Sequence, residues 1–197
     1  MLYFLAYLIM PPTPKSQKTW VVYLSTYPPR ECGIATFTHD LVHAFDEMYM
    51  PREESKIIAI NNTGTRFKYP KKVIFELNQH AQAEYAALAH KLNELEEVKL
   101  VNIQHEFGIF GGEYGNYLLD FMRTLKKPIV ITFHTVLPRP NDVLKKTVID
   151  LATYSGKIIV MTKTSKEILK RDYAIPEEKI AIIPHGIHPQ PYDSHQE

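Results

Sequence analysis

Seven short apolar runs, rich in β-branched residues, recur along the chain. They are WVVYLS (20–25), KIIAIN (56–61), KVIFEL (72–77), KLVNIQ (99–104), PIVITFH (128–134), GKIIVMT (156–162) and KIAIIPHG (179–186). Most are continuous rather than alternating, the pattern of parallel strands covered on both faces. Between them the apolar positions switch to helical spacing, as in Phe37, Leu41, Ala44 and Met48, and again in Ala81, Tyr85, Leu88, Leu92 and Leu95. Further helices are predicted near 113–126, 141–154 and 164–172. The alternation predicts an α/β fold: an open, mostly parallel Rossmann-like sheet with helices on both faces. One connection departs from it. Only NTGTRFKYPK (62–71) separates the second and third runs, fewer residues than a parallel crossover usually needs, so 72–77 is expected as an antiparallel neighbour or an irregular edge strand.

The ends read differently. MLYFLAYLIM (1–10) is apolar and runs into PPTPKSQK (11–18). Ten residues are about half a bilayer span, and neither a basic n-region nor a small-residue cleavage site is present. Residues 1–18 are read as a loosely ordered leader, with a peripheral membrane anchor as the alternative. The folded domain is placed at 19–187, and 188–197 is a tail. A total of 197 residues with 45% hydrophobic content suits one domain with a buried core. With 23 basic and 22 acidic side chains there is no global field for nucleic acid. Cys32 is the sole cysteine, which excludes an internal disulfide and any CxxC zinc site and fits a cytoplasmic location.

In such sheets ligands bind beyond the carboxyl ends of the strands. The unusual residues fall there repeatedly: TYPPRECGIATFTHD (26–40), HEFGIFGG (105–112), HTVLPRP (134–140) and HGI (185–187). Gly33 precedes a predicted helix that Thr36 or Thr38 is available to cap, and a glycine at a helix start lets backbone N–H groups approach an anion. The stretch has neither the full GxGxxG fingerprint nor a Walker A lysine. Gly111 and Gly112 stand before a helix expected to begin near Glu113. Phe107 and Phe110 offer faces for a sugar ring or pack under the loop, and Glu106 can accept from hydroxyls. His134, beside Thr135, is either a structural residue or a donor to a sugar hydroxyl or phosphate oxygen. His105, Glu106, His134 and His185 would make a metal site only if the chain kinks, because neighbouring strand residues point to opposite faces.

Together YPPRECGIATFTHDL, QHEFGIFGGEYG, TFHTVLPRP and IPHGI resemble the N-terminal half of a family-4, GT-B-fold glycosyltransferase, from about Trp20 to Ile187. The resemblance implies the acceptor-side half of a retaining transferase that moves a sugar from a nucleotide sugar to a glycan, lipid or small-molecule acceptor. It implies no required metal or cofactor and a cytoplasmic enzyme, peripheral at the inner membrane face if the leader is an anchor. Gly33 matches a loop near the donor phosphates and His134 a histidine near the transferred sugar, while His185 stands where many relatives carry asparagine. Candidate catalytic residues are His134 and Glu106. Candidate binding residues are Arg30, Gly33, Ile34, Thr36, His105, Phe107, Gly111, Gly112, Glu113, Thr135, His185 and Gly186. Family members continue into a C-terminal Rossmann-like domain with a basic pair for the diphosphate and two glutamates eight positions apart. Neither element lies in these residues, so they are expected to be catalytically incomplete alone. A non-catalytic sugar- or nucleotide-binding module and a histidine-based metal-dependent hydrolase are the alternatives.

Overall fold

The computed structural model describes residues 18–64 and 66–186. Residues 1–17 of the leader and the whole tail therefore lie outside the described residues. Seven strands, β1 (Thr19–Ser25), β2 (Glu53–Asn61), β3 (Val73–Asn78), β4 (Val98–His105), β5 (Ile129–Phe133), β6 (Lys157–Val160) and β7 (Ile180–Ile182), form one sheet in the order β3-β2-β1-β4-β5-β6-β7. Every pairing is parallel. Five helices connect them: α1 (Gly33–Tyr49), α2 (Gln82–Glu94), α3 (Leu118–Thr124), α4 (Asp142–Tyr154) and α5 (Lys163–Tyr173). The chain grows outward from β1 through β2 to β3, then returns to β4 and grows the other way. The switch point between β1 and β4 is where this architecture opens a crevice.

The two-residue period of each strand sorts its side chains between two layers. Val22, Leu24, Ile58, Ile60, Val101, Ile103, Ile131 and Phe133 join the main core with Tyr85, Leu88, Phe121, Val148 and Leu169 from α2 to α5. Tyr23, Ile57 and Ala59 face the other way, onto Val42 of α1. Continuous apolar runs arise because both sets are buried. On the α1 side, over β4 to β6, Leu100, Val130 and Ile159 are only half-buried.

The third run is an edge strand with a register shift, but it is not antiparallel: β3 pairs with β2 in parallel. Eleven residues (62–72) make the crossover, with no helix among those described. At about 3.3 Å per residue an extended chain of that length reaches about 35 Å, ample to run back along β2. The Lys72 ammonium closes it onto the Asp46 carboxylate, which also accepts from Ser55 N–H at 2.8 Å. The helix expected near Glu113 starts later. Glu113–Gly115 is a 3-10 turn in which Tyr114 and Gly115 have φ of 53° and 78°, and α3 begins at Leu118.

Candidate functional site

The loop from β1 to α1 reaches the switch point with Cys32 at its end. Cys32, not Thr36 or Thr38, caps α1: its Sγ accepts from Ala35 N–H at 3.4 Å and lies 3.1 Å from Thr26 Oγ1. Gly33 is thus the first helical residue, and a Cβ there would meet nothing within 4 Å. Thr36 is exposed on the first turn, Ile34 packs against the main core, and Thr38 is buried with its hydroxyl 2.6 Å from Ser25 Oγ. Ala35 and Thr36 N–H groups already reach the Cys32 carbonyl, leaving those of Gly33 and Ile34 as the open donors of the turn. Arg30 is turned toward β2, donating to the Ile60 carbonyl at 2.9 Å. A polar network follows on that side: Tyr69 Oη donates to Asn61 at 2.6 Å, and Asn61 Nδ2 to Glu76 at 2.6 Å.

Beyond β4, alternation separates the neighbours His105 and Glu106. His105 points into the main core. It is 0% exposed, stacked on Phe110 at 5.5 Å between ring centroids, and edge-on to Phe107 and Phe133. Neither ring nitrogen has a hydrogen-bond partner. Burial, then the nearby His134, pushes its pKa down from 6.5 to about 3. His105 is therefore a core residue and not a ligand-facing one, and Phe107 packs beneath the loop between His105 and Tyr114.

The glycine pair also has a packing reason. A Cβ on Gly111 would collide with the Gln79 carbonyl oxygen and come within 2.6 Å of the Tyr117 ring. Its N–H donates to Tyr85 Oη at 3.2 Å and its carbonyl accepts from Tyr117 N–H at 3.2 Å. Gly112 has φ of 81°, which glycine adopts at little cost. The pair lets the loop press onto α3 rather than offering a donor-rich helix start. Glu113 is exposed on the following turn.

On the α1 side of the sheet, a second set of groups converges. His134, one position past β5, lies with its ring edge-on to Phe37 of α1 at 4.8 Å, and His185 meets the same phenylalanine at 5.4 Å. Thr135 Oγ1 donates to Glu106 Oε2 at 2.6 Å, while Glu106 Oε1 accepts from Phe107 N–H at 2.9 Å. Gln104 completes the group. Its Nε2 donates to Asn102 Oδ1 at 2.7 Å, which presents Oε1 to His134 Nε2 at 2.8 Å. Burial, then the charge of His185, pushes the His134 pKa down from 6.5 to about 4, so the ring is neutral at pH 7. The network assigns its proton to Nε2 and leaves Nδ1 an acceptor. A neutral acceptor suits a sugar hydroxyl, not a phosphate oxygen.

Thus Glu106, His134, Thr135 and His185 come together, joined by Gln104 and Phe37, which the sequence did not mark. Gly186 is exposed beside His185 at the end of the described chain. No three histidine, cysteine or acidic side chains among the described residues are grouped so as to hold a metal. No helix among them is long and apolar enough to cross a membrane. An open groove of about 620 Å³ lies elsewhere, between α2, α3 and α4. Its charges answer one another: Asp150 pairs with Lys146 at 2.6 Å and Arg123 at 3.9 Å.

Comparison with known proteins supplies the lineage. The family profile for Glycosyltransferase Family 4 matches residues 32–191. A glycosyltransferase from Rickettsia africae ESF-5, known from its crystal structure, aligns with 86% of this chain at a TM-score of 0.58 and 16% identity. At that identity the likeness is one of fold, and the chain spans 44% of that protein. The search of curated proteins found no match.

Proposed function

The chain belongs to Glycosyltransferase Family 4, and from that premise we propose that it forms the acceptor-side half of a retaining transferase that moves a sugar from a nucleotide sugar to an acceptor. The observation that carries the reading is the neutral His134, held on Phe37 by Gln104 beside the Glu106–Thr135 pair. Nδ1 of His134 takes a hydrogen bond from a sugar hydroxyl. Glu106 retains lone pairs for a second hydroxyl, since each of its oxygens accepts only one bond. Both residues orient the sugar. The open N–H groups of Gly33 and Ile34 give the diphosphate a dipolar contact at the start of α1. Departure of a nucleotide diphosphate also needs placed cations, and Arg30 is engaged with Ile60. A second Rossmann-like wall supplies them in this reading. Water stays excluded only when both walls close.

The test uses purified chain, a panel of nucleotide sugars and candidate acceptors. These residues alone should give no more than trace product and bind nucleotide sugar at about millimolar strength, about −4 kcal/mol. With the second domain supplied, transfer appears, and His134→Ala lowers turnover about a hundredfold by losing orientation. The thermal midpoint should stay nearly unchanged. Turnover undiminished by His134→Ala, or efficient transfer by the chain alone, refutes the assignment.

A further inference from the structure

We propose that the open groove between α2, α3 and α4 binds a neutral oligosaccharide. Its volume of about 620 Å³ lies within the range of small-molecule sites, about 300–1,000 Å³. Its charged side chains, Asp142 excepted, are engaged with one another or with Gln82. Gln82 Nε2 donates to Asp120 at 2.8 Å, Arg123 lies 3.9 Å from both Asp120 and Asp150, and Lys146 pairs with Asp150 at 2.6 Å. A different set is left open. The Asn116 amide, Tyr117 Oη, the Asp142 carboxylate and Thr147 Oγ1 line the groove, and none forms a hydrogen bond or ion pair among the described residues.

Thr147 is the most telling of the four. A hydroxyl within a helix commonly bonds back to the carbonyl four residues earlier. Thr38, Thr124 and Thr153 all do so here at 2.8 Å. Thr147 makes no such bond, although it is only 5% exposed. Its oxygen is not sealed from solvent as the nitrogens of His105 are, so it opens onto the groove. An unpaired hydroxyl on so buried a residue is a cost that a ligand in the groove removes. Tyr117 is held in place from below. A Cβ on Gly111 or Gly112 would come within 2.6 or 2.7 Å of its ring, so the ring rests on the glycine pair.

The open set contains a donor in the Asn116 amide, an acceptor in Asp142, and two hydroxyls that do either. Sugar hydroxyls also do either, and the C–H faces of sugar rings suit Tyr117, Leu119 and the exposed Val143. Three carboxylates against two cations leave the groove net negative, which turns away phosphates and acidic sugars. The segments after β4 and β5 carry Glu106, His134 and Thr135 to the cleft, and Asn116, Tyr117 and Asp142 to the groove. The role of the groove rests on the proposed transfer: it holds the far part of a glycan acceptor whose reacting end lies in the cleft.

The experiment titrates the full chain with maltopentaose, mannopentaose and cellopentaose, following amide signals by NMR. At least one of them should shift the signals of Asn116, Tyr117 and Thr147 at about millimolar strength. Tyr117→Phe and Thr147→Val each remove only an unpaired hydroxyl, so the thermal midpoint should not move. Each should weaken binding about fivefold, and the two together about twentyfold. No shift at about ten times millimolar sugar, or binding that both variants leave unchanged, overturns the proposal. So does a shift produced by spermidine alone and removed by Asp142→Asn, which would make the groove a cation site. No nucleotide sugar is present, so failure here leaves the transfer reading standing, and failure of transfer leaves this site standing.

Discussion

Replacing His105 with leucine measures how isolated that ring is. The imidazole has no exposed surface and no partner on either nitrogen. An unpaired buried polar group costs about 1–3 kcal/mol, which leucine avoids. Leucine forfeits the contacts with Phe107, Phe110 and Phe133, and one aromatic pair contributes about 0.5–1.5 kcal/mol. The two effects largely offset each other at pH 7, so acidification decides. Burial lowers the folded pKa from 6.5 to about 3. Below pH 6.5 the unfolded chain takes up a proton at this site and the folded chain does not, so wild-type stability falls toward acid. At about 1.4 kcal/mol per pH unit, the loss down to pH 5 is about 2 kcal/mol. His105→Leu abolishes that loss, and the contribution of His134 is common to both proteins. Urea unfolding at pH 7 and pH 5 should show the variant gaining about 2 kcal/mol relative to wild type. A stability difference that does not change with pH would mean that the ring is solvated or bonded, and the reasoning would fail.

Gly111→Ala should cost about 2–3 kcal/mol by overpacking against Gln79 and Tyr117, measured by denaturation without any ligand. Unchanged stability would return Gly111 to a ligand-facing role. Asp46→Ala should cost about 2 kcal/mol, because Ser55 N–H is left buried and Lys72 loses its carboxylate; urea unfolding at neutral pH reads it directly. In the completed enzyme, protonation of His134 should depress kcat only as pH falls toward about 4, with no histidine inflection between pH 6 and 8. An inflection near 6.5 that His134→Ala removes would show that the ring is not desolvated.

The strands were legible because a sheet buried on both faces writes itself as continuous apolar runs, and all seven appear where those runs predict. Polarity of β3 was not. The length rule for parallel crossovers presumes a helix, and the lysine-closed crossover 62–72 has none among its described residues. The start of α3 was misplaced because the apolar spacing near Glu113 carries no trace of the left-handed Tyr114–Gly115 turn. In the site, the strand period correctly parts His105 from Glu106, but does not say which face is core. That follows only once Phe133 and Phe110 are seen to enclose His105. Gln104 was invisible for a related reason. Its bond to His134 depends on strand register, which sets Gln104 opposite Thr132 and places His134 two residues on.

That register also gives the cleft a chemical direction. Desolvation makes both His105 and His134 neutral, yet only His134 has a partner, and the partner fixes its proton on Nε2. Beyond β4 and β5 the cleft thus presents acceptors, the Nδ1 lone pair and the Glu106 carboxylate. Beyond β1 it presents donors, the first amides of α1, with no carboxylate among the contacts that fix Cys32 and Gly33. On the proposed function, sugar hydroxyls take the first side and phosphates the second. A ligand with a polyol at one end and a diphosphate at the other matches this polarity in one orientation, and reversing it sets phosphate against Glu106. That reversed pose would bring like charges together in a partly desolvated site, where repulsion is stronger than in water. On the proposed function, this polarity sets the orientation of a nucleotide sugar. It follows from which ends of which strands carry lone pairs and which carry N–H groups.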